Sequence, residues 1–121
     1  MASKRPTVQE PDPARLQTGL AVPVAGLVGY NAGAVVSRTI VQNQAGNITL
    51  FAFDVGQGLS EHTTPFDAFV HVLEGRARVL IGGKPIDAGA GEVLLMPALV
   101  PHAVQAPQRF KMLLVMMRGA T

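Results

Sequence analysis

The chain has 121 residues, of which 48% are apolar and 15% are Asp, Glu, Lys or Arg, with a formal net charge of +2. That is the size of one ordinary domain with a single core, and a charged fraction well below the usual ~25% leaves apolar surface that a second copy of the chain is expected to cover. The absence of cysteine excludes disulfides, thiolate catalysis and zinc–thiolate centres together.

The chain opens with MASKRPTVQEPDPAR. Three prolines and mixed charges in fifteen residues oppose any strand and bury little apolar area, so residues 1–19 read as an irregular arm, mobile or laid over a neighbour. No apolar core follows the basic start closely enough for a secretory signal, and the expected location is cytoplasmic. Residues 20–36 are apolar but broken by Pro23, Gly26, Gly29, Asn31 and Gly33. They fall short of an uninterrupted membrane span and read instead as extended chain packed on the domain that occupies residues 20–121.

From Val35 onwards the pattern is all β. Strand-like runs rich in Val, Ile, Phe and Thr cover 35–41, 48–55, 66–73, 77–81, 92–96, 102–106 and 110–117. Turn signals separate them at Gln44–Asn47, Gly56–Gly58, Glu74-Gly75, Gly82-Gly83 and Gly89–Gly91. No ten-residue segment keeps a helical period, and short strands at this spacing predict a sandwich or barrel. In the last run Phe110, Met112, Leu114 and Met116 alternate with Lys111, Leu113, Val115 and Met117. Both faces are apolar after Lys111, as expected if one faces a barrel and the other a second sheet or subunit. Arg76 with Arg78, and Arg109 with Lys111, share strand faces without interleaved aromatics, which reads as solvated surface rather than a nucleic-acid platform. Asn47-Ile48-Thr49 fits a glycosylation sequon only by chance, given no signal peptide.

The informative stretch runs from Gly56 to Ala106. A strand holding His62, a hairpin at Gly82-Gly83, and a returning strand holding His102 would set two imidazoles side by side inside a β-barrel. This stretch resembles the cupin superfamily, small jelly-roll barrels whose first motif reads G-x5-H-x-H-x3-E-x6-G and second G-x5-P-x-G-x2-H-x3-N. Gly56, His62, Gly75, Gly91, Pro97 and His102 match at the required spacing. The resemblance implies an all-β, double-sheet jelly-roll barrel. In metal-binding cupins two histidines and a glutamate of the first motif, with the histidine of the second, hold a divalent metal. Here Thr64 stands at the second histidine, Ala68 at the glutamate, Leu99 at the second motif's inner glycine and Ala106 at its asparagine. His62 and His102 are then the candidate metal ligands. Asp67 is the candidate third, if a bulge turns its carboxylate inward; otherwise it caps turn amides. Mn, Fe, Zn or Ni would be held weakly or be absent, and no organic cofactor is expected. The predicted pocket is His62, Thr64, Ala68, Met96 and His102. Strand parity sends His71 to the outer face and Glu61 away from His62. Buried in an apolar barrel, both imidazoles should be mainly neutral at pH 7.

Three function classes follow. The first is a domain that binds a small molecule in the barrel. The second is a metal-assisted enzyme of the dioxygenase, isomerase or lyase kind found among cupins. The third is a non-catalytic dimeric scaffold. No nucleotide, phosphate or sugar motif is present, and the sequence selects no substrate.

Overall fold

The structure, a computed structural model, describes residues 12–118. Eight strands form in the order β1 Val35–Asn43, β2 Gly46–Phe53, β3 Gly58–His62, β4 Phe66–Ile81, β5 Lys84–Gly89, β6 Val93–Met96, β7 His102–Gln105 and β8 Phe110–Arg118. All pairings are antiparallel, and two sheets share the long β4. The first half of β4 lies between β8 and β6, with β2 and β1 beyond β8. The second half lies between β5 and β7, with β3 beyond β7. This is the all-β, double-sheet jelly-roll architecture expected from the sequence.

The passage of β4 from one sheet to the other departs from the sequence reading. Glu74-Gly75 does not end a strand; it is a bulge inside one, between Val72 and Glu74 in the pairing with β8. Gly75 has φ +77, and a Cβ there would overlap the Arg109 carbonyl oxygen. Glycine lets the backbone bend where β8 passes closest, so a turn-like dipeptide marks a corner of the barrel. A second difference is β5, whose sequence KPIDAG carries little β-propensity. The Gly82-Gly83 turn, with φ +58 and +82, folds it back onto β4. It lies at the sheet edge, where Pro85 is tolerated.

Phe53, Val70, Val72, Val79, Phe110 and Met112 are fully buried between the sheets, and Phe53 stacks on Phe110 with ring centroids 4.5 Å apart. A smaller cluster of Val28, Ile40, Leu50 and Ala52 lies on the outer face of the β1–β2–β8 side. It explains why β8 is apolar on both faces: Leu113 packs under Leu27, Val28 and Tyr30 of the chain's own N-terminal segment. That segment contains one 3-10 turn, Val24–Leu27, and is fastened by cations on backbone carbonyls. Arg38 donates to Ala14, Leu27 and Pro13, while Lys111 donates to Ala25. Residues 12–19 of the predicted arm are irregular and lie over β1, where the Leu16 amide donates to Ile40. The rest of the arm, residues 1–11, is outside the described residues. Among those described, no helix is long and apolar enough to cross a membrane.

Candidate functional site

His62 ends β3 and His102 begins β7, and the two are partners in the strand register. Their rings meet edge to face, with centroids 4.4 Å apart and planes at 68°. Each ring is fixed in the same way. His62 Nδ1 lies 2.8 Å from the Ser60 carbonyl oxygen, and His102 Nδ1 lies 3.2 Å from that of Val100, each two residues back. A carbonyl only accepts, so Nδ1 carries the proton in both rings and each neutral imidazole keeps an unshared pair on Nε2. His102 is buried, and desolvation, with a smaller contribution from His62, pushes its pKa below the ordinary value against the opposing Val100 hydrogen bond. His62 is exposed, not buried as the sequence reading had it. It stands at the mouth while His102 lies within.

A break in strand parity puts His62 there. β3 slips register between Leu59 and His62, so residues three apart both reach the interior. The cavity they line is closed by Ala68, Met96, Val104, Met112, Leu114 and Met116, and its free volume is about 30 Å³. That holds roughly one water-sized group, far below the ~300–1,000 Å³ of pockets that enclose a whole small molecule. Larger hollows lie elsewhere; the one beside Gly56, Arg78 and Pro107 has about 340 Å³, and its Arg78 is already paired with Asp87.

His62, Ala68, Met96 and His102 thus share one cavity. Thr64 does not line it: its hydroxyl exchanges hydrogen bonds with the Phe66 backbone, because β3 has ended and a turn, not strand parity, directs the side chain. Asp67 does not supply a third ligand either. Its Oδ1 accepts the Ala98 amide at 2.9 Å and pins the β6–β7 connection, the turn-capping role. His71 sits on the other face of β4 from Ala68, between Leu113 and Val93. Sequence reasoning missed Leu59, Val104, Met112, Leu114 and Met116. The alternation of β8 carried the signal for three of them, whereas the bulge in β3 hid Leu59.

The β6–β7 connection carries one further feature. Leu99 has φ +67, the sole non-glycine residue in the left-handed region among those described. Its amide donates to Thr64 while its side chain is 75% exposed.

The cupin domain family profile matches residues 49–117, more than half of the chain. The chain belongs to the cupin family. Among solved structures, this cupin is similar to a conserved protein of unknown function from Streptococcus pyogenes, at 33% identity over 88% of this chain and 94% of that one, TM-score 0.83. It is also similar to a cupin superfamily protein from Desulfitobacterium hafniense, at 30% identity over 87% and 96%, TM-score 0.81. A cupin 2 conserved barrel domain protein from Leptotrichia buccalis matches at 37% identity over 77% of this chain and 45% of that one, TM-score 0.75. No curated protein matches.

A three-ligand divalent centre of the kind the family resemblance implies does not fit this donor set. Ala68 has no donor atom, Asp67 is engaged elsewhere, and no group of three His, Cys, Asp or Glu side chains converges among the described residues. Two neutral imidazoles leave the charge of a divalent ion uncompensated in an apolar cavity.

Proposed function

We propose that this cupin is a small-molecule-binding domain that takes one hydroxyl group of its ligand on the histidine pair. The supporting observation is the common Nδ1 anchoring, which leaves two Nε2 acceptors at one small cavity. Two acceptors select a donor: an enol, phenol or alcohol hydroxyl gives its one hydrogen to either Nε2 in turn, while a carboxylate requires one ring to take up a proton first. The cavity accommodates the hydroxyl and little else, so the body of the ligand rests at the mouth beside exposed His62. The test is a titration of metal-free protein with phenol and with benzoate, read by the imidazole nitrogen resonances. Phenol should shift Nε2 of both histidines at pH 7.5 and benzoate should not; equal response to both, or shifts that persist in His62→Ala, would refute the assignment.

A separate observation favours a homodimer. Leu95, Phe69, Val115, Ile48 and Val41 form one cross-strand row on the outer face, beyond the N-terminal segment. The row carries no charge, and Leu95 is 51% exposed. A second copy related by a twofold axis would cover it without a like-charge penalty. Light scattering should give a dimer at micromolar concentration and a monomer for Val115→Lys; a native monomer would overturn this.

A further inference from the structure

The cavity that lacks a carboxylate has sulfur instead. Ala68 pairs across the strands with Met96 on one side and Met116 on the other, so Met96, Ala68 and Met116 form one row on the inner face. Both thioethers line the same cavity as His62 and His102, which form their own register row in the opposite sheet. Alanine at the middle of the sulfur row keeps the space between the rows open. Met112 adds a third sulfur to the lining, deeper in the core and fully buried.

From these facing rows we infer that the cavity is a binding site for a monovalent soft metal ion, Cu(I), held by the Nε2 atoms of His62 and His102 together with the thioethers of Met96 and Met116. The argument has three parts. Thioether with imidazole is a donor set that selects Cu(I), whereas Mg, Ca and Mn favour oxygen. Every donor is neutral and the walls are apolar, so the ion's charge is balanced by no protein anion. Since the desolvation penalty rises with the square of the charge, a monovalent ion meets about one quarter of the Born penalty of a divalent one of equal size. The free volume of about 30 Å³ suits a bare ion better than one that retains its water shell. The backbone carbonyls behind both Nδ1 atoms already hold the rings in the tautomer that a metal needs.

Copper and the hydroxyl ligand would use the same two lone pairs, so this inference does not rest on the ligand reading, and the two are tested on separate samples. The metal test is an anaerobic titration of metal-free protein with Cu(I), in competition with bathocuproine disulfonate, alongside a calorimetric titration with zinc. Native protein should take one Cu(I) per chain, at least tenfold more tightly than zinc, and its X-ray absorption spectrum should show sulfur neighbours. Met96→Leu with Met116→Leu keeps the packing and should weaken Cu(I) at least tenfold, and His62→Ala, at an exposed position, should weaken it further. Ala68→Glu should raise zinc affinity by tenfold or more, by restoring an anion between the rows. Copper affinity unchanged by the double methionine variant, zinc bound as tightly as Cu(I), or no gain from Ala68→Glu would each overturn the inference.

Discussion

His62 and His102 share a register row and the same Nδ1 anchor, but one is exposed and the other 4% exposed. The difference comes from the strands beneath them. β7 is regular and flanked on both sides, by β3 and β4, so parity carries His102 straight into the core. β3 is an edge strand with a register slip, and its last residue reaches the cavity only from the rim. One site therefore contains a structural histidine and an accessible one. In the proposed binding role, a ligand or metal would meet His62 first, and His102 would fix the depth at which it stops.

The most severe way to break that pairing is to distort the frame that sets both rings in place. β4 carries Ala68 in one sheet and, through Ile81, pairs with His102 in the other. Gly75→Ala puts a Cβ against the Arg109 carbonyl and the Phe110 Cα at positive φ, and these backbone atoms cannot swing aside as the end of a flexible side chain would. We expect a loss of at least ~3 kcal/mol in denaturant unfolding, from strain combined with overpacking. A loss under ~1 kcal/mol would mean that the corner is pliable.

Replacing each histidine measures the asymmetry directly. His102→Ala removes a packed ring and its hydrogen bond from the core and should lower stability by ~2–3 kcal/mol. His62→Ala, at an exposed strand end, should lower it by less than ~1 kcal/mol. Equal losses would show that the two positions are equally buried in solution.

Acid should sharpen the same contrast. Burial lowers the His102 pKa below its ordinary 6.5, so the unfolded chain binds this proton more readily than the folded one. The contribution is complete above pH 6.5 and is lost as pH falls through the lower, folded value. Unfolding midpoints measured from pH 7.5 down to 4.5 should fall, and His102→Gln should flatten the decline. A second acid limb belongs to Asp54, held down to about 2 by the Gly33 amide and by Arg109; it lies between 3.8 and about 2 and should be unaffected by either histidine substitution.

These contrasts mark what the sequence makes legible. Alternation and turn residues suffice for the strands of the β1–β2–β8 side, because regular strands obey parity, whereas His62 and His102 are brought together by their match to the cupin motif spacing and not by parity, which β3 breaks. Irregular backbone defeats the same rule: the slip in β3 conceals Leu59, the turn after His62 removes Thr64 from the cavity, and the bulge at Gly75 imitates a strand end. The N-terminal segment was readable as packed chain, but its fastening was not. Arg38 and Lys111 bind carbonyls far away in sequence, and main-chain acceptors leave no trace in residue type.

The smallest expected effect is at Leu99, and it tests whether the proposed ligand would approach past His62. Leu99 stands at the family motif's glycine position and keeps the backbone that glycine would supply, φ +67. For a residue with a Cβ that conformation is disfavoured by ~1–2 kcal/mol, and the 75% exposed side chain recovers little by burial. Leu99→Gly should relieve the strain while adding ~0.5–1 kcal/mol of unfolded-chain entropy, for a net gain near ~0.5 kcal/mol. Two amide anchors, Ala98 on Asp67 and Leu99 on Thr64, hold the connection in place, so the exposed leucine is presented at a fixed point beside the turn that follows His62. Strain kept for a purpose predicts a trade: Leu99→Gly should unfold at slightly higher denaturant and bind phenol more weakly, with the His62 resonance losing more of its shift than that of His102. If binding is unchanged while stability rises, Leu99 has no part in the mouth, and the ligand reaches His62 by another side of the rim.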